Sequence, residues 1–132
     1  MDILVIDDER ETVEMVSNIL ESRGYRVGKA YGGHEGICLA VKKKFDLIIL
    51  DLIMPEIDGF DVVDELKKHD ISKNVPIVIF TAKDLIEEDY FRLRQRVELI
   101  AQKGKFSKEE LLTHIEKIKN MQAEKTKERE KI

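Results

Sequence analysis

Tryptophan is absent from this sequence, and cysteine occurs once, as Cys38. A lone cysteine excludes an internal disulfide and a cysteine-based metal site. Its setting among Ile37, Leu39 and Val41 predicts a small buried side chain rather than a reactive thiol. No apolar run approaches the roughly 20 residues that a membrane span requires. The N-terminus also lacks the basic-then-apolar form of a signal peptide. Together these absences predict a cytoplasmic location and no membrane partner. Positive charge is not in excess: the net charge of −4 argues against direct nucleic-acid binding by the domain as a whole. No G-x-x-x-x-G-K-[ST] motif is present, which excludes a nucleotide-hydrolysing P-loop.

Charge itself is abundant, at 38% of 132 residues against a usual quarter or so. Apolar residues, at 42%, suffice for one domain with a single sizeable core. Apolar runs alternate with stretches of helical period. Strands are predicted over residues 2–6, 25–30, 46–50, 76–80 and 97–101, and helices over 9–23, 33–43, 58–68, 86–93 and 107–121. Gly24 caps the first helix, and Pro76 opens the fourth strand, where a missing N–H does least harm. Ser107 and Glu110 form a capping box. The order βαβαβαβαβα, with three continuously apolar strands, predicts an α/β fold: a doubly wound five-stranded parallel sheet with five helices. From Gln122 the apolar stripe is lost. This divides the chain into a domain over 1–121 and a charged helical extension or tail over 122–132.

In open parallel sheets, ligands bind beyond the carboxyl ends of the strands. The first strand runs into Asp7, Asp8 and Glu9, the third into Asp51, the fourth into Thr81 and the fifth into Gln102-Lys103. Each has a plain explanation alone. Asp8 with Glu11 would cap a helix, Asp51 would begin a turn, since PEIDG follows, Thr81 would cap the next helix, and Lys103 would decorate the surface. Those explanations do not account for three carboxylates, a hydroxyl and an ammonium at one end of one sheet. Three carboxylates within about 5 Å repel by roughly 3 kcal/mol per pair at an effective dielectric near 20. Lys103 supplies one counter-charge, and a hard divalent cation such as Mg²⁺ would supply two more. A carboxylate beside a metal, a lysine and a threonine also suits phosphoryl transfer, with the acid as nucleophile.

The ordered blocks LVIDDE, DLIILDLIMPEIDGFDVV, PIVIFTAKD and the QKG lysine, with 30 residues from Asp51 to Thr81 and 22 more to Lys103, carry a resemblance. Over about residues 1–120 the chain resembles the receiver domain of two-component response regulators. The resemblance implies a flavodoxin-like strand order 2-1-3-4-5. It implies that Asp51 accepts a phosphoryl group from a phosphohistidine on a sensor histidine kinase or a histidine phosphotransfer protein. Asp7, Asp8, Asp51 and the backbone carbonyl of Ile53 would hold Mg²⁺. Thr81, Lys103 and the backbone amide of Ala82 would contact the phosphoryl oxygens. Slow self-catalysed dephosphorylation is implied, tuned by the flanking Ile53 and Lys83, with no enzymatic turnover of an outside substrate. A homodimer through the last helices is compatible with it.

Two positions depart from the family pattern: Ile100 stands where many receivers carry an aromatic, and Gly104 where many carry proline. Both bear on how the signal leaves the domain, not on the phosphorylation chemistry. Among rivals, a flavodoxin-like cofactor binder needs a Ser/Thr/Gly-rich phosphate loop where this chain has DDER. A haloacid-dehalogenase-like phosphatase needs D-x-D on its first strand, which neither Asp7-Asp8 nor Asp51-Leu52-Ile53 supplies. A receiver fold used only as a silent interaction module would not require the full set of site residues. His34, His69 and His114 lie at no ligand spacing and are predicted to face solvent.

Overall fold

The computed structural model describes residues 1–130. Five strands, β1 (Asp2–Ile6), β2 (Arg26–Ala30), β3 (Leu47–Leu50), β4 (Ile77–Thr81) and β5 (Leu99–Gln102), form one parallel sheet in the order β2-β1-β3-β4-β5. The helices α1 (Arg10–Ser22), α2 (Gly33–Lys42), α3 (Gly59–Leu66), α4 (Glu87–Leu93) and α5 (Lys108–Glu130) alternate with them. The two-residue repeat of a strand sorts each apolar run onto two faces. Leu4, Ile6, Ile48, Leu50, Ile77 and Ile79 pack with α2, α3 and Leu93 of α4. Ile3, Val5, Leu47, Ile49, Val78 and Phe80 pack with Val13, Val16 and Leu20 of α1 and Leu111, Leu112 and Ile115 of α5. Every residue of β3 and β4 is buried, whereas the edge strands are only partly so. Each large side chain buried in this way contributes about 1.5–3 kcal/mol.

The expected glycine cap on α1 is present. Gly24 takes φ 88, its N–H donates to the Glu21 carbonyl, and the Tyr25 N–H donates to the Leu20 carbonyl at 3.2 Å. These two bonds satisfy carbonyls that the helix end would leave orphaned.

Several local expectations are corrected. The fifth strand begins at Leu99, not at 97, because a turn at Gln95 (φ 65) uses up the preceding residues. The fourth strand includes Thr81, so this residue ends a strand and does not cap a helix; α4 starts six residues later. Cys38 is exposed. The buried face of α2 is Gly33, Gly36 and Ala40, and a residue two past Gly36 points roughly the other way on a 3.6-residue helix. At the start of α5 only half of the capping box forms, the Glu110 N–H donating to Ser107 Oγ at 3.1 Å. His34 and His69 are exposed, but His114 is half-buried, its ring 5.4 Å from that of Phe106. Helix α5 runs through Met121 without a break to Glu130, and the Gln122 side-chain amide donates to the Asp46 carbonyl at 3.2 Å. Residues 131 and 132 of the expected tail lie outside the described residues.

Candidate functional site at the carboxyl edge of the sheet

Strand register alone brings the acids together. Ile6, the last residue of β1, lies opposite Leu50, the last of β3. The next residues, Asp7 and Asp51, are therefore neighbours, with the Asp51 N–H donating to the Ile6 carbonyl at 3.0 Å and the Asp7 N–H to the Ala30 carbonyl at 3.1 Å. Both carboxylates are buried, at 2% and 4% exposure, while Asp8 is on the open rim. One carboxylate oxygen from each of Asp7, Asp8 and Asp51 falls within 4.8 Å of the others.

The only cation reaching into this group among the described residues is Lys103, which follows β5. Its backbone N–H donates to the Thr81 carbonyl at 2.7 Å. Its Nζ stands 2.7 Å from Asp7 Oδ2, 3.5 Å from Asp51 Oδ2 and 3.4 Å from Glu9 Oε1. One ammonium thus faces several carboxylates. Burial pushes the Asp7 carboxyl up to about 6, assisted by the Asp51 charge, even though Lys103 and the Glu9 amide both donate to it. Burial acts to lower the Lys103 pKa, but the Asp7 hydrogen bond and the neighbouring carboxylate charges outweigh it and hold the pKa above the usual lysine value.

The Asp8–Glu11 cap is not formed. Glu9 occupies the position before α1 and makes no side-chain cap. It is Asp7 Oδ1 that accepts an N–H there, from Glu9 at 2.9 Å. Asp8 is left with no side-chain hydrogen bond among the described residues and opens onto solvent. A cluster of hard oxygen donors, undercompensated in charge and open on one side, fits a divalent cation that keeps part of its water shell.

The loop after β3 encloses Asp51 from below. The Ile53 N–H points to Asp51 Oδ1 at 3.4 Å, and Asp58 caps α3 by accepting the Asp61 N–H at 2.9 Å. Gly59 has to be glycine: a Cβ there would stand 2.4 Å from the Asp51 carbonyl oxygen. The side chain of Ile53 itself is 53% exposed and leaves the mouth of the site open.

On the other side of Lys103, Thr81 is fully buried and its Oγ1 accepts the Lys83 N–H at 3.2 Å. Ala82 lies between them, exposed, with no hydrogen-bond acceptor for its N–H among the described residues. Asp7, Asp8, Asp51 and Lys103 are thus gathered into one cluster. Thr81 joins the same edge through its carbonyl, while its hydroxyl faces the loop rather than the acids. Three contributors were not assigned from the sequence. Glu9 was visible as the third acid of the run. Gln102, whose side-chain amide donates to the Lys83 carbonyl, and Asp89, whose carboxylate pairs with the Lys83 ammonium, carry no motif, and these contacts exist only in the folded loop.

A model of the response regulator receiver domain family matches residues 3–116. The chain belongs to that family. It is therefore a receiver domain of the two-component type. Over 113 residues, 86% of the chain, it is 31% identical to the response regulator SaeR of Staphylococcus aureus. Over 93 residues it is 32% identical to protein PilH of Pseudomonas aeruginosa. Over 86 residues it is 40% identical to the DNA-binding dual master transcriptional regulator RpaA of Synechocystis. The aligned part of this receiver spans 77% of PilH, 48% of SaeR and 36% of RpaA. Among solved structures, chemotaxis protein CheY4 of Vibrio cholerae superposes with a TM-score of 0.81 at 30% identity, covering 89% of this chain and 97% of that one. A receiver domain of a Syntrophus aciditrophicus histidine kinase superposes at 0.78 with 25% identity, covering 89% and 88%. The expected doubly wound, flavodoxin-like architecture is the one observed. No helix among the described residues is long and apolar enough to cross a membrane.

Proposed function

We propose that Asp51 is the phosphoacceptor of this receiver and that the donor is a phosphohistidine on a sensor histidine kinase or a histidine phosphotransfer protein. The observation that carries this reading is a nearly buried Asp51 carboxylate, in an open acidic cradle, with a lysine ammonium 3.5 Å away. An Asp51 oxygen attacks phosphorus. The P–N bond to the donor imidazole breaks, and the imidazole nitrogen keeps the electron pair. Asp7, Asp8, Asp51 and the Ile53 carbonyl would hold Mg²⁺, which would supply positive charge to the phosphoryl oxygens. Lys103, released in part from Asp7, pairs with a second phosphoryl oxygen, and the Thr81 hydroxyl and Ala82 N–H donate to a third. Attack by water at phosphorus breaks the P–O bond to Asp51, whose carboxylate keeps the electron pair, and releases inorganic phosphate, which returns the domain to its resting state. Ile53 and Lys83 flank that path and set its rate. No outside substrate is turned over.

The partner kinase, a cytoplasmic location, a homodimer through the last helices, and the division into a receiver over 1–121 and a charged extension over 122–132 belong to the same reading. Intact mass after incubation with acetyl phosphate tests its centre. One Mg²⁺-dependent phosphoryl group is expected on the wild type and none on Asp51→Asn. Full labelling of Asp51→Asn would refute the assignment.

A further inference from the structure

The β4–α4 loop is tied down more heavily than an exposed loop needs to be, and every tie converges on Lys83. Its N–H donates to Thr81 Oγ1 at 3.2 Å, and its carbonyl accepts the Gln102 side-chain amide at 2.9 Å. Its ammonium lies 2.6 Å from Asp89 Oδ2. That same Asp89 oxygen accepts the Ile86 N–H at 3.0 Å, at the start of α4. Asp89 is buried, at 7% exposure, although it sits on a short surface helix.

Gln102 is the unusual member. The β4–β5 ladder ends with Thr81 opposite Gln102 and with the Lys103 N–H on the Thr81 carbonyl. Beyond that point the ladder stops, and the carbonyl of Lys83, two residues past the end of β4, is met by a side-chain amide instead. Gln102 thus acts as one more rung, placed after the sheet has ended. The residue between the two anchored positions is Ala82, whose N–H is free for a ligand.

We propose that Gln102, with Asp89 behind it, is a positioning residue for phosphoryl binding: it fixes the Thr81–Lys83 segment so that the Ala82 N–H is presented to the phosphoryl group on Asp51. Neither Gln102 nor Asp89 touches that group. They act by removing the freedom of the loop that does, so that binding does not have to order it. This inference rests on the assignment of Asp51 above.

Calorimetric titration of the full chain with Mg²⁺ alone, and then with beryllofluoride in saturating Mg²⁺, separates the roles. Beryllofluoride stands in for a phosphoryl group on a carboxylate. Gln102→Met keeps the length of the side chain and removes its donor. Asp89→Asn removes the ion pair but keeps an acceptor for the Ile86 N–H. Each is expected to weaken beryllofluoride binding about five- to tenfold, the value of one well-placed hydrogen bond or charge contact, with Mg²⁺ affinity unchanged. A purely structural role would lower both affinities together or neither. Wild-type beryllofluoride affinity in both variants would overturn the inference while leaving Asp51 in place. No beryllofluoride binding by the wild type would overturn the Asp51 assignment and this inference with it.

Discussion

At the β1–β3 half of the carboxyl edge, side chains are placed by charge: Asp7, Asp51 and Glu9 gather around one lysine ammonium at 2.7–3.5 Å. At the β4–β5 half the segment that follows Thr81 is held against the sheet by neutral hydrogen bonds, the Lys83 N–H to Thr81 Oγ1 and the Gln102 amide to the Lys83 carbonyl, with the Lys83–Asp89 ion pair behind them. The first half carries more negative charge than its one ammonium balances. The second is already satisfied in the resting protein. The two halves should therefore answer to different variables. Acidity and divalent metal should move the first, and loss of a single donor or acceptor should move the second.

The strongest challenge to this contrast is Lys103→Ala. Removing one partner of a buried ion pair leaves uncompensated charge and costs about 3–5 kcal/mol. Urea unfolding at pH 7 in chelator is expected to show a loss of about 3 kcal/mol, the low end because Asp8 and Glu9 are solvated. Mg²⁺ should restore much of it, since it supplies the missing positive charge. An equal loss with and without Mg²⁺ would mean that Lys103 is held by packing rather than by charge, and the contrast would fall.

Asp7 gives a second and smaller effect. Its folded-state pKa of about 6 lies above its ordinary 3.8, so the folded protein holds this proton more tightly than the unfolded chain does. The stability it contributes is full below about 3.8 and is lost as pH rises through 6. Metal must displace the proton, so Mg²⁺ affinity should fall about tenfold from pH 7 to pH 5, with one proton released per ion at the lower pH. Titration calorimetry in two buffers of different ionisation enthalpy measures both. A flat Mg²⁺ affinity over that range would remove Asp7 from the cation site.

The two halves also differ in how far they could be read from the sequence. The acid half was legible because parallel register converts strand ends into neighbours. Once β1 and β3 are recognised as adjacent, Asp7 and Asp51 have to meet. Lys103 followed from the same logic one strand pair over. What was misread there is local: the Asp8 cap failed because α1 starts one residue later, with Glu9 rather than Asp8 in the cap position. The β4–β5 half was less legible. Gln102 appeared as a strand end without a role and Asp89 was not singled out, because a side chain that serves as a ladder rung, or stands behind one, has no signature in composition or spacing. Cys38 was misplaced for a related reason. Apolar neighbours in sequence do not fix which face of α2 is buried when the contact stripe is built from glycines and alanine.

The smallest effect is the sharpest test of the neutral half. Thr81→Val keeps the shape of a β-branched side chain in a fully buried position and removes the acceptor of the Lys83 N–H. The expected cost is about 1 kcal/mol, that of one hydrogen bond at a partly buried donor. Its size matters less than its constancy. Because no titrating group is involved, the loss should be the same at pH 5 and pH 7, and the same with and without Mg²⁺. Urea unfolding under those four conditions, with Lys103→Ala alongside, gives the comparison directly. If the Thr81→Val loss were to follow pH and Mg²⁺ as the Lys103→Ala loss does, the hydroxyl would have to be coupled to the carboxylates in the resting state. The edge would then be a single electrostatic unit rather than two separately held halves.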